Sequence, residues 1–210
     1  NFLVVDLSSG YSKGLHWYED DRWDILCHNL RILATLAREF RCKGLIIDVE
    51  AYGFNLWRYK DFNASVHPAP YEEYCAKAVA RGRQFASAVN EGYPDIPVLF
   101  FYYAWDLPFM EQTSQGKVAP AERSHSLLAP FLDGILSGSS NKTSLVDGYE
   151  FSYGYKRESE FETGRKLVKE SARQMSRFPD LYAKKVANGF GLWLDNRRVW
   201  DPANPELNYF

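Results

Sequence analysis

Carboxylates follow several apolar stretches of the sequence, and the clearest case is GLIIDVEAYGF at residues 44–54. Its apolar residues lead directly into Asp48 and Glu50. Side chains two positions apart in an extended strand point to the same face, so these two acids are expected to share a surface. The stretch VDGYEF places Glu150 after a later apolar segment in a similar way. These three carboxylates are the candidate catalytic residues.

Carboxylates that lie close together repel one another, which raises the pKa of at least one of them. The result is a protonated acid beside an ionised neighbour. Such a pair cleaves glycosidic bonds: one carboxyl group protonates the leaving oxygen, and the other acts as nucleophile, base or charge stabiliser. A single aspartate after a strand is more often a turn residue or a helix cap. That simpler interpretation stays open for Asp6, Asp106 and Asp147.

Other residues near the predicted strand ends are candidates for binding a substrate. Tyrosine and tryptophan rings offer flat apolar faces that stack on sugars, although core packing explains many of the aromatic residues here. An arginine can hold a hydroxyl or a carboxylate of an acidic sugar. The candidates are Tyr52, Tyr102, Trp105, Asp106, Tyr149, Trp193, Asp195 and Arg197.

The spacing of apolar residues predicts the elements that would position these side chains. Residues 20 to 40 carry apolar side chains three and four apart, which is typical of a helix with one buried face. The acids at 19–21 are expected to cap its start, and residues 45–47 then read as a buried parallel strand. The pattern repeats, with helices from near Pro70, within 120–137 and over 157–178, and with strands ending near 7, 48, 103, 150 and 194.

Five strands alternating with four helices predict an α/β fold built from consecutive βα units. An open doubly wound sheet is possible, but no glycine-rich phosphate loop follows a strand. We favour a (β/α)8 TIM-barrel, present as an incomplete segment of about five βα units, because a full barrel has about 250 residues. Residues 1–210 would then be a single barrel-type catalytic domain cut from a longer chain. Active sites of such barrels lie at the carboxyl ends of the strands.

The stretch LIIDVEAYG resembles the Asp-x-Glu motif on the fourth strand of chitinase-type and lysozyme-type barrel glycoside hydrolases. The resemblance implies that Glu50 is the proton donor and that Asp48 assists it. Ile46 and Lys43 stand where the chitinase pattern has further acids, so acetamido-sugar chemistry is not expected. More loosely, the whole chain is similar to bacterial barrel proteins that are grouped near glycoside hydrolases.

Composition restricts the partners. The net charge is -2 with scattered basic residues, so nucleic acid is not expected as a partner. No apolar run reaches about 18 residues, so no membrane span is expected. Neither the three cysteines nor the four histidines form a metal-binding pattern, and we expect catalysis without a cofactor. The expected partner is a carbohydrate substrate, and the expected location is periplasmic or secreted.

Two other function classes stay open. A barrel enzyme that depends on magnesium or calcium would use carboxylate oxygens as ligands, drawn from Asp48 or Glu50, Asp106, Glu150 and Asp195. A carbohydrate-binding barrel without activity would keep the fold and lose the chemistry. Metal content separates the first class from a metal-free hydrolase, and binding without turnover identifies the second.

Overall fold

The structure is a computed structural model that describes residues 1–7, 15–51, 55–63, 67–101, 118–192 and 203. Five strands form one parallel sheet in the order in which they occur along the chain. They are β1 (Phe2–Asp6), β2 (Gly44–Asp48), β3 (Val98–Phe100), β4 (Leu145–Asp147) and β5 (Val186–Asn188). A doubly wound sheet has a point at which the strand order reverses, and these five strands have none.

Helices connect the strands. They are α1 (Asp20–Glu39), α2 (Tyr59–Asn63), α3 (Tyr71–Gly92), α4 (Leu128–Gly138), α5 (Glu158–Lys166) and α6 (Pro179–Lys185). A π-helical segment, Leu167–Ala172, and a last α-helical turn, Arg173–Met175, continue α5. Two short 3-10 segments, Pro120–Glu122 and Glu150–Gly154, complete the described helical structure.

Helix α1 shows how the sequence pattern forms an element. Its buried residues Trp23, Leu30, Ala34 and Ala37 recur at helical spacing and give the helix one apolar face. The expectation that the acids before α1 cap it is wrong for Glu19, whose side chain makes no capping hydrogen bond to the backbone of the helix. The Glu19 carboxylate instead accepts a hydrogen bond from the backbone N–H of His16 at 3.0 Å. The cap position is thus filled by a residue that ties back to the preceding loop.

The two faces of the sheet have different surroundings. The strand register aligns Leu45, Val98, Leu145 and Val186 in one row, and all four are buried in the core with the helices. Helix α3 packs against both α1 and α4, so the helices form one continuous layer. The opposite face is apolar but open: Val4 is 61% exposed, and its aligned neighbours Ile46, Leu99 and Val146 are half-buried.

The predicted α/β alternation with five strands is confirmed. The fifth strand lies at Val186–Asn188, earlier than the predicted end near residue 194. Helices α2 and α6 were not predicted because five and seven residues are too few to show a clear apolar period. Helix α3 begins directly after Pro70, as predicted.

Candidate active site

The predicted catalytic residues lie at the carboxyl edge of the sheet. Strand β2 ends at Asp48, and Glu50 follows two residues later. Strand β4 ends at Asp147, and Glu150 begins the 3-10 segment that follows it. Because all five strands are parallel, these ends meet at one edge of the sheet. This is the edge at which α/β sheets bind their ligands.

The peptide group between Val49 and Glu50 is hydrogen-bonded through both its N–H and its carbonyl. The Asp48 carboxylate accepts a hydrogen bond from the Glu50 N–H at 2.9 Å, which turns the chain as the strand ends. The next residue back, Val49, is buried, and its carbonyl accepts a hydrogen bond from the indole Nε1 of Trp57 at 2.6 Å. Asp48 therefore stabilises the turn at the end of β2 and also lies beside Glu50.

The surroundings of Glu50 favour its protonated form. Burial, followed by the charge of Glu150 and then the charge of Asp48, raises its pKa from 4.5 to about 7. A carboxyl group with a pKa near neutrality can hold a proton and release it during a reaction. Glu50 therefore has the properties of a general acid.

Glu150 has different surroundings. Burial raises its pKa, and the charge of Asp48 acts in the same direction. The Tyr153 hydroxyl opposes both because it donates a hydrogen bond to Oε1 of Glu150 and so stabilises the ionised form. Burial and this same hydrogen bond raise the pKa of Tyr153, so the phenol keeps its proton. Glu150 thus has a hydroxyl donor that favours its ionised form.

Asp48 completes the cluster. Burial raises its pKa, the hydrogen bond from Glu50 lowers it, and the charge of Asp6 raises it again. Asp6 is the residue of β1 that is aligned with Asp48. The structure therefore brings Asp48, Glu50 and Glu150 close enough to interact, as predicted, and adds Asp6 and Tyr153.

Tyr149 does not lie where a substrate could stack on it. Its ring is 2% exposed, and its hydroxyl is 2.7 Å from that of Tyr155. Its backbone is left-handed, with φ 36°, and its N–H donates to the Asp147 carboxylate at 3.0 Å. The prediction that Tyr149 binds substrate is not retained, because its ring is buried against Tyr155 and Phe190. The other predicted binding residues lie outside the described residues: Tyr52, Tyr102, Trp105, Asp106, Trp193, Asp195 and Arg197.

Tyr153 is the residue that sequence reasoning undervalued. It was recognisable as an aromatic residue near the acids, but not as a partner of Glu150. Residues three apart lie one above the other in a 3-10 helix, and Glu150 and Tyr153 have that spacing. The pairing of Glu150 with Tyr153 could be predicted only if the 3-10 segment after β4 were already known.

Within the described ranges, no group of three or more His, Cys, Asp or Glu side chains is arranged to hold a metal ion. Two of the ligands in the metal-dependent alternative, Asp106 and Asp195, lie outside those ranges. None of the helices in the described part of the chain combines the length and apolar character needed to cross a membrane.

Comparison with known proteins identified no matching family model, no matching curated protein and no matching solved structure.

Proposed function

We propose that the protein is a glycoside hydrolase that cleaves oligo- or polysaccharides by carboxylate acid/base catalysis. One observation carries the proposal: two interacting glutamates lie at the same sheet edge, and burial raises the pKa of both, but at Glu150 the Tyr153 hydroxyl opposes that rise. Glu50 has a pKa of about 7, whereas Glu150 accepts a hydrogen bond from Tyr153 that favours its ionised form. Pairs of this kind divide the acid and base roles between them.

In the proposed reaction, Glu50 gives its proton to the glycosidic oxygen as the bond from that oxygen to the anomeric carbon breaks. The Glu150 carboxylate either attacks the anomeric carbon or takes a proton from the water that does so. Asp48 holds the turn that carries Glu50 and, when ionised, disfavours early loss of the Glu50 proton. The products are a free alcohol and a sugar with a new anomeric hydroxyl, so the overall reaction consumes one water.

We also propose that the five strands form part of a (β/α)8-type barrel. Their parallel, strictly sequential order and the continuous packing of α1, α3 and α4 on one face support this arrangement. The apolar face opposite the helices supports it as well, since barrel interiors are filled by branched apolar side chains. Val4, Ile46, Leu99 and Val146 have that character.

The experiment measures hydrolysis of aryl glycosides and of polysaccharides by the wild-type protein and by Glu50→Gln and Glu150→Gln. Each glutamine keeps the shape of the side chain and removes its acid. We expect each substitution to lower kcat/KM by about 10²- to 10⁴-fold, the usual contribution of a general acid or base. Asp180→Asn is the matched control because the Asp180 side chain is 91% exposed on α6, and it should leave activity unchanged.

The leaving group distinguishes the two roles. An aryl glycoside with an acidic phenol needs little protonation, so Glu50→Gln should slow its cleavage much less than cleavage of a polysaccharide. Glu150→Gln should slow both substrates. Sugar binding by the wild-type protein without any turnover would contradict the hydrolase proposal and favour a carbohydrate-binding barrel.

A further inference from the structure

Asp147 ends β4 but faces away from the Asp48 side of the sheet. The register aligns it with Ile47 and Phe100 in the row that faces the helices, and the residue is 0% exposed. Its Oδ1 accepts the N–H of Tyr149. Its Oδ2 is buried and has no hydrogen-bond partner among the described residues. A buried carboxylate oxygen without a partner is costly and calls for an explanation.

Two further buried polar atoms lie in the same region. Asn188 is the residue of β5 aligned with Asp147, so both side chains lie on the helix side of the sheet. Its Nδ2 donates to the carbonyl of Gly189, and its buried Oδ1 has no partner in the part of the chain that is described. The buried hydroxyl of Tyr182, on α6, likewise has no hydrogen-bond partner among the described residues. Tyr182 lies close enough to Asp147 for that carboxylate to contribute to its raised pKa.

The count of donors and acceptors points to a missing proton. An ionised Asp147 can only accept, and the Oδ1 of Asn188 can only accept. The Tyr182 hydroxyl donates to neither of these two oxygens. A proton on Oδ2 of Asp147 supplies a donor for the aligned Asn188 and removes the buried charge.

We infer that the folded protein holds Asp147 as a neutral acid, which offers its proton to the aligned Asn188 and positions Glu150 through Tyr149. The positioning role rests on the proposed function, whereas the protonation state does not. The link to Glu150 is short. Asp147 fixes the N–H of Tyr149, and the Tyr149 carbonyl accepts the hydroxyl of Ser152 at 2.7 Å. Glu150 directly follows Tyr149, so both anchored groups of Tyr149 lie next to it.

The groups around Asp147 agree with this assignment. Burial raises its pKa well above the usual value, and only the hydrogen bond from Tyr149 acts against burial. The titratable groups that face it or its network are Tyr149 in the 3-10 segment, Tyr182 on α6 and Asp133 on α4. The nearby ammonium groups of Lys169 and Lys185 donate to backbone carbonyls, those of Val186, Leu136 and Ser139.

Asp147→Asn tests the protonation state without any assay of activity. The amide keeps the oxygen that accepts from Tyr149 and offers N–H donors to Asn188. We expect its urea midpoint to match that of the wild type at pH 3, below the ordinary aspartate pKa of 3.8, and to exceed it at pH 9. The sign follows because a raised folded pKa makes the wild type lose stability as the pH rises, and the amide cannot ionise. Asp180→Asn should not reproduce the difference.

Infrared difference spectra give a second measurement. The wild type at neutral pH should show a protonated carboxylic acid C=O band that is missing in Asp147→Asn and retained in Asp180→Asn. An unchanged acid band, or a lower urea midpoint for Asp147→Asn at every pH, would overturn the neutral assignment. Neither result would bear on glycoside hydrolysis.

The positioning role is tested with activity. Asp147→Asn should keep kcat within about twofold, as expected when the hydrogen-bond pattern is preserved. Asp147→Leu should lower kcat at least tenfold, because it releases Tyr149. Asp147→Ser replaces the leucine variant if that one does not fold. Wild-type activity together with full activity of the folded Leu or Ser variant would overturn the positioning role, whereas an inactive wild type would count against the hydrolase proposal alone.

Discussion

The hydroxyl of Tyr153 donates a hydrogen bond to Oε1 of Glu150, one turn earlier in the same 3-10 segment. This bond opposes the effect of burial on the pKa of Glu150. Tyr153→Phe removes the donor and keeps the ring. The ionised form of Glu150 should then be harder to reach, and the pKa of Glu150 should rise.

We therefore expect the acidic limb of the pH profile of kcat/KM to move upward by about one pH unit in Tyr153→Phe, since a hydrogen bond to a charged group contributes about 1.5–3 kcal/mol. Tyr93→Phe is the control, because Tyr93 donates a long 3.4 Å bond to the carbonyl of Cys42, before β2. An acidic limb that stays in place in Tyr153→Phe would show that Glu150 is not the base or nucleophile.

The pKa of Glu50 sets the expected alkaline limit of activity. Glu50 must be protonated to act as the acid, and its pKa is about 7. The value of kcat/KM should therefore fall as the pH rises through about 7, and this limb should be missing from the residual activity of Glu50→Gln. Steady-state kinetics on an aryl glycoside between pH 4 and 10 measure the alkaline limb in the wild type and in Glu50→Gln. An alkaline limb that survives in Glu50→Gln would assign the proton to another group.

Ionisation of Glu50 should also lower the free energy of unfolding at alkaline pH. Its pKa in the folded protein is above its ordinary value of 4.5, so the folded state binds the proton more tightly than the unfolded state does. The stability that this group contributes is complete below about pH 4.5 and is lost as the pH rises through about 7.

Glu50→Gln should consequently be more stable than the wild type at pH 9, by about 1 kcal/mol, because solvent screening reduces the effect of the full pKa shift. The difference should vanish at pH 4. Urea unfolding followed by tryptophan fluorescence at both pH values gives the comparison. Equal stability of the two proteins at pH 9 would mean that neither burial nor the charges of Glu150 and Asp48 raise the pKa of Glu50.

Gly164 leaves space for the buried ring of Tyr149, the residue that precedes Glu150. A Cβ atom at Gly164 would lie 2.6 Å from Cε1 of Tyr149, whereas a Cβ atom at Gly154 would meet nothing within 4 Å. Gly164→Ala should lower the free energy of unfolding by about 1–3 kcal/mol, the usual cost of overpacking. It should also lower kcat by displacing Tyr149. Gly154→Ala is the matched control and should change neither quantity, so equal effects of the two substitutions would contradict this packing.

Metal removal tests the remaining enzyme class. The proposed acid and base are carboxyl groups that need no ion, so exhaustive dialysis against EDTA should leave kcat unchanged. Elemental analysis of the purified protein before and after dialysis shows whether an ion was removed. Loss of activity that magnesium or calcium restores would favour the metal-dependent class.

The sequence was sufficient for the elements with a strong apolar pattern. Helix α1 and strand β2 agree with prediction almost to the residue, because a buried stripe and an uninterrupted apolar run leave few alternatives. The clustering of Asp48, Glu50 and Glu150 was predicted for a similar reason, since parallel strands bring their ends to one edge.

The roles of individual polar residues were harder to predict. Asp147 and Tyr149 follow an apolar run just as Asp48 and Glu50 do, yet both are buried. Which face a strand residue occupies depends on the register with neighbouring strands, and a shift of one residue reverses it. That register is set by contacts far apart in the sequence, so local spacing could not show that Asp147 points into the core.

The sequential order of the strands bears on how the chain acquires its structure. Each strand pairs with the one before it, so every pairing closes a loop of about 40 to 55 residues and none joins the two ends of the described sheet. A sheet of this kind can grow unit by unit during synthesis on the ribosome. The edge that carries Glu50 would then be complete only once β4 has emerged and Glu150 has reached it.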